Sequence, residues 1–166
     1  MIPCDFTIVV RATAEDRARA AALLRTLPQT PADYFTFVKF DSLLTDVQAT
    51  QENTRQTWCW LYDNVPFINE VCDELVVRAW MRNAPPFLLM MELLRRFPAL
   101  TFDCFSVTDQ EEHEHWRVGS GVEKQCELIE EVIINLHTDE CSRHYLKDGE
   151  VTSYGRFSNT QKERRS

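Results

Sequence analysis

The stretch ELVVRAWMRNAPPFLLMMELLRRFPALTFDCFSV, residues 74–107, decides the fold. Its first seven residues, ELVVRAW, are β-branched, apolar and aromatic, the composition that packs well on a pleated surface, so they predict a strand. Pro85 and Pro86 follow. A proline just inside a helix start costs nothing, because its missing N–H would have had no partner there. PFLLMMELLRRF therefore predicts a helix, with Phe87, Leu88, Met91, Leu94 and Phe97 expected to face the core and Pro98 ending it. In LTFDCFSV (100–107), Phe102, Cys104 and Ser106 alternate with Thr101, Asp103, Phe105 and Val107, the two-residue period of a strand.

The same strand, helix, strand order occurs at the start of the chain. DFTIVVR (5–11) reads as a strand. Thr13, with an acid three residues on, has the capping-box pattern, and AEDRARAAALLRTL predicts a helix to about Leu27 with Ala20, Leu23, Leu24 and Leu27 inward. YFTFVKF (34–40) is the strand after it, with Phe35, Phe37 and Val38 competing for the core. Two such units compose a β-α-β-β-α-β arrangement. The expected class is α+β: a ferredoxin-like sandwich, an antiparallel sheet with two main helices on one face.

Elsewhere the patterns are weaker. Residues 41–56 are polar and predict a loop with room for one short helix. TWCWLYD (57–63) predicts a strand with Trp58 and Trp60 on one face, and Asn64 and Pro66 a turn or long hairpin. HEHWRV (113–118) is strand-like, and Gly119 and Gly121 mark a turn. CELIEEVIIN (126–135) fits helix or strand, with EVIIN favouring strand. Residues 1–147 are expected to form one domain, and 148–166, dominated by Ser, Asn, Gln and charge, a loosely ordered tail.

Trp58 and Trp60, then Ala79, Trp80, Pro85 and Pro86, then Phe97, Pro98, Leu100 and Phe102 form a cadence over residues 57–107 that resembles the YubB-like ferredoxin-domain family of plasmid and phage proteins. This chain lacks that family's Gly-Thr-Lys after the tryptophan strand and carries MRNA between Trp80 and the prolines. The resemblance implies a fold and a mobile-element origin. It implies no activity, because none of these residues is catalytic.

The 166 residues carry 26 acids against 18 lysines and arginines, a net charge of -8. Phosphate is held by Lys and Arg, so this balance speaks against direct nucleic-acid binding. None of the six cysteines forms a CxxC pair, and most sit in apolar runs, which predicts buried thiols in a reducing compartment. The N-terminus lacks the basic region of a signal peptide, and no apolar run approaches the ~20 residues of a membrane helix. The expected location is cytoplasmic, with no membrane partner.

The negative charge is uneven. Eleven acids lie between Asp103 and Glu140, opposed only by Arg117 and Lys124, whereas the end of the chain is basic. Asp109, Glu111, Glu112, Glu114, Glu123, Glu127, Glu130 and Glu131, with Trp116 among them, are the candidate partner-binding residues. Carboxylates along paired strands can imitate nucleic-acid phosphates and steer a basic groove onto themselves. The leading expectation is a non-enzymatic, anti-CRISPR-like inhibitor from a mobile element that blocks a host nucleic-acid-handling complex. The alternative is an interaction module using an exposed aromatic patch around Trp58 or Trp116. A metal-dependent enzyme is the third reading. His113 and His115 share a strand face, and His137, Cys141 and His144 have spacings of four and three that suit a helix face, but no standard zinc spacing occurs. A fourth reading, direct nucleic-acid binding through the basic end, Lys162 to Arg165, ranks low because the acidic body opposes it. No catalytic residue, metal or cofactor is expected, since neither a GxSxG elbow nor a glycine-rich phosphate loop is present.

Overall fold

In the computed structural model the described residues are 3–32, 34–44, 57–82, 84–108, 112–119, 126–135, 140–147 and 150–158. They form β1 (Pro3–Arg11), α1 (Ala14–Arg25), β2 (Gln29–Pro31), β3 (Thr36–Lys39), a 3-10 turn (Asp41–Leu43), β4 (Trp58–Leu61), β5 (Ile68–Val71), β6 (Glu74–Arg82), α2 (Phe87–Arg96), β7 (Thr101–Thr108), β8 (Glu112–Gly119), β9 (Cys126–Asn135), β10 (Glu140–Lys147) and β11 (Glu150–Ser158). One sheet holds all eleven strands in the order β11-β10-β9-β8-β7-β1-β6-β4-β3-β2, with β5 also on β6. Every pairing is antiparallel.

The expected ferredoxin-like sandwich with two main helices on one face is therefore corrected to a sheet-dominated fold. The reason is dimensional. Ten strands side by side at ~4.8 Å span about 43 Å, whereas two helices, each ~10 Å across, cover roughly half of that. The antiparallel run β7 to β11 adds strand after strand beyond the reach of the helices. CELIEEVIIN is strand throughout, and β11 lies in the stretch expected to be a loose tail. Residues 45–56, 120–125 and 159–166 lie outside the described residues.

Alternation places the core. Cys4, Phe6, Ile8 and Val10 of β1, Leu75, Val77, Ala79 and Met81 of β6, and Phe102, Cys104 and Ser106 of β7 are all buried. Ala20, Ala21 and Leu24 of α1 and Leu89, Met90, Leu93 and Leu94 of α2 join the same cluster. Thr13 caps α1, its hydroxyl accepting from the Asp16 N–H. In β3 the core takes Val38, with Phe40 just beyond it, and leaves Phe37 half-buried and Phe35 exposed.

The face of α2 also differs from expectation. Leu89, Met90, Glu92, Leu93 and Leu94 are buried, while Phe87, Leu88, Met91 and Phe97 are half-buried. An apolar run as continuous as FLLMMELL permits more than one helical phase, and Glu92 argued for the wrong one. Its carboxylate is fully buried because Arg95 and Arg96 bind it at 2.6 and 3.0 Å. Burial pushes the Glu92 carboxyl up, but hydrogen bonds from both arginines outweigh burial and hold it below its usual range. Arg96 also donates to the Leu43 carbonyl at 3.2 Å, tying α2 to the 3-10 turn.

Candidate binding face

The inward positions of β1, β6 and β7 leave the alternate positions on the opposite face of the sheet. No helix among the described residues packs there, and it holds the groups that the core does not absorb.

Phe37, Trp60 and Trp80 stand in register across β3, β4 and β6. Trp58 joins them because it is two residues from Trp60. Trp60 stacks on Trp80 at 4.2 Å between ring centroids, and Trp58 meets Trp60 edge-on at 4.1 Å. Phe37 lies 5.7 Å from Trp58, and Phe35 lies 5.7 Å from Trp80. Five rings thus touch in sequence, from Phe35 through Trp80, Trp60 and Trp58 to Phe37. The three indoles are half-buried, and Phe35 is 47% exposed. Cations lie over the row: the Arg82 guanidinium is 5.3 Å from the Trp60 ring and 5.7 Å from Trp58, and Lys39 Nζ is 5.8 Å from Phe37. Such contacts stabilise by about 0.5–1 kcal/mol at exposed sites.

Beside this row is a hollow of about 440 Å³ lined by Asp5, Thr7, Tyr62, Arg78, Phe105 and Val107. Beyond it, β7 places Asp103 between the neighbouring strands. The Asp103 carboxylate accepts from Arg11 Nε at 2.7 Å and His115 Nε2 at 2.8 Å, and Arg117 Nε is 3.6 Å away. Phe105 stacks on the His115 ring at 4.4 Å. Asp103 is only 4% exposed. Burial pushes its carboxyl up, yet the hydrogen bonds from His115 and Arg11 outweigh burial and hold it below the usual carboxylate range. An ionised Asp103 accepts only, so His115 donates from Nε2 and, when neutral, presents Nδ1 as an acceptor.

The acidic candidates do not gather on one face. Glu112 and Glu114 share one side of β8 and are half-buried. Glu114 accepts the Trp116 indole N–H at 2.5 Å. Trp116 stands opposite buried Cys104 and meets Phe87 at 5.2 Å, so its ring packs toward the core. Across the next pairing, Glu131 opposes Glu114, Glu130 opposes His115, and Glu127 opposes Arg117. Glu130, opposite His115, stands on the other side of the sheet from Glu114. Asp109, Glu111 and Glu123 lie outside the described residues.

His113 and His115 do share a strand face, with His115 engaged by Asp103. His137 lies outside the described residues, and Cys141 and His144 fall on a strand, so the expected helical alignment is corrected. No group of three or more His, Cys, Asp or Glu among the described residues could hold a metal ion. Cys4, Cys59 and Cys104 are buried, and Cys72 is exposed. No helix among the described residues is long and apolar enough to cross a membrane.

Trp58, Trp60 and Trp80 were legible before the structure. Arg82, Arg78 and Asp103 were not singled out, although Arg78, Trp80 and Arg82 alternate along β6 opposite the buried set. Comparisons with protein families, curated proteins and solved structures find no match.

Proposed function

We propose that the protein is a non-enzymatic binding module that takes its partner on the open face of the sheet. One observation carries this reading: five aromatic rings in continuous contact, four half-buried and Phe35 exposed, with cations over them, lie on a face that no helix among the described residues covers. Tryptophan and arginine are the residue types enriched at binding hot spots. A cytoplasmic setting accords with the buried Cys4 and Cys59, which form no disulfide.

A second reading draws on the acids. Glu112 and Glu114 lie together on one side of β8, and carboxylates grouped along a strand attract a basic partner. A basic groove on a host nucleic-acid-handling complex would fit such a surface, as an inhibitor from a mobile element requires.

One experiment separates the two. Partner capture from lysate is compared for wild type, for Trp58→Ala with Phe35→Ala, and for Glu112→Lys with Glu114→Lys. Loss with the aromatic pair and retention with the acidic pair supports the open face. The reverse pattern overturns it in favour of the acids.

A further inference from the structure

We infer that the occupant of the open face is a single strand of nucleic acid, an inference that rests on the binding-module reading above. The chain as a whole is acidic, but binding responds to local charge. Lys39, Arg78, Arg82, Arg11 and Arg117 are all exposed. Lys39 and Arg82 lie over the aromatic row, Arg78 lines the hollow beside it, and Arg11 and Arg117 flank the Asp103 node. Against these five cations the face offers Asp5 and Asp103, with Glu74, Glu130 and Glu127 at the margins, so the positive charge is concentrated at Lys39 and Arg82 over the rings and at Arg78. Asp103 is held by Arg11 and His115 with Arg117 nearby, so these groups largely neutralise one another and the cations open to phosphate are Lys39, Arg82 and Arg78.

Part-exposed rings beside guanidinium and ammonium groups match one ligand chemistry closely. Each unpaired base brings a flat π-face that stacks on an aromatic ring, and each linkage brings a phosphate for Arg or Lys. A duplex hides its base faces and cannot use the ring row. An acidic peptide would use the cations and leave the rings without a stacking partner. The width fits as well. From β3 to β8 the face crosses five strand spacings, about 24 Å, which suits the short end of the roughly 4–16 nucleotides held by single-strand binding folds. The acids between Asp103 and Glu140 repel phosphate from that part of the chain.

The test is fluorescence anisotropy of the full chain with labelled twelve-nucleotide oligothymidylate, the corresponding oligouridylate, a twelve-base-pair duplex and an oligoglutamate peptide. Each is titrated at about 50 and 200 mM salt. At least one single strand should bind with a dissociation constant below about 0.1 mM and quench tryptophan emission. The duplex and the peptide should bind at least tenfold more weakly. Each phosphate contact contributes about -0.7 to the log–log salt slope for a single strand, so Arg82→Glu should flatten the slope by about that amount. Arg82→Glu with Lys39→Glu should weaken binding at least tenfold. Both side chains are exposed, so far-ultraviolet circular dichroism should not change. The DNA and RNA arms report which strand is preferred. Failure of both strands to bind, equal binding of duplex or peptide, or indifference to the double charge reversal overturns the inference. If neither strand binds while the aromatic variants still abolish partner capture, the face stands and its nucleic-acid ligand falls. If both experiments are negative, both readings fall.

Discussion

Replacing Asp103 by Asn keeps the shape of the side chain and removes its charge. In the native protein the carboxylate accepts two short charge-assisted bonds, 2.7 Å from Arg11 and 2.8 Å from His115. Hydrogen bonds to charged groups contribute about 1.5–3 kcal/mol, against about 0.5–1.5 for neutral ones. The amide also turns one acceptor into a donor that faces donors. Arg11 and Arg117 are more than half exposed, so water recovers part of the loss. The expected cost near pH 7 is about 2 kcal/mol, or a fall of roughly 4–8 °C in midpoint for a chain of this size. The pH dependence follows from the depressed carboxyl. Its folded value lies below the ordinary 3.8, so its stabilisation is fully present above that value and is lost as pH falls through the folded one. Wild type and Asp103→Asn should therefore separate at neutral pH and converge in acid. Urea unfolding followed by tryptophan emission, at matched m-values, measures the gap at each pH. A gap that is absent at neutral pH, or that persists unchanged in acid, would falsify the account of Asp103 as an ionised, hydrogen-bonded hub.

Two further outcomes are expected. Burial pushes the Cys4 and Cys59 thiols up to about 12, so alkylation near pH 8 should label exposed Cys72 well before either, as peptide mass spectrometry would show. Cys72 and Asp73 form the two-residue β5–β6 turn with φ of 51° and 64°, a conformation that favours glycine. Asp73→Gly should raise stability by about 0.5–1 kcal/mol, since the ion pair it gives up with Arg17 is a 3.9 Å contact from a side chain 98% exposed. A lower unfolding midpoint would count against that turn geometry.

Legibility in the sequence followed how each element is stabilised. β1, β6 and β7 bury alternate residues, and that period is written in DFTIVVR, ELVVRAW and LTFDCFSV. α1 announced itself through Thr13. β2 and β5 were missed because three- and four-residue strands are held by register with a neighbour and carry little pattern of their own. β10 and β11 are mixed in polarity, and antiparallel extension of a sheet demands backbone pairing more than apolar side chains. The ferredoxin-like expectation came from counting helices and strands at the start of the chain and failed on what is added at the end. The binding face divides the same way. The spacing of Trp58 and Trp60 was visible in one segment, whereas Arg82 above them and Asp103 between Arg11 and His115 are products of cross-strand register, which no single segment states.

The place of β1 has a consequence for synthesis. This strand leaves the ribosome well before β6 and β7, yet it lies between them, pairing Pro3 with Arg82 and Arg11 with Thr101. At the usual 5–20 residues per second, an apolar nascent strand waits on the order of 5–20 s for its second partner. Its closures are long-range, which slows folding and leaves both edges open to other chains in the meantime. A ribosome stalled before Thr101 strands β1 with a bare edge. A stop after β8 leaves it paired on both edges, so premature termination is more dangerous before β7 than after it.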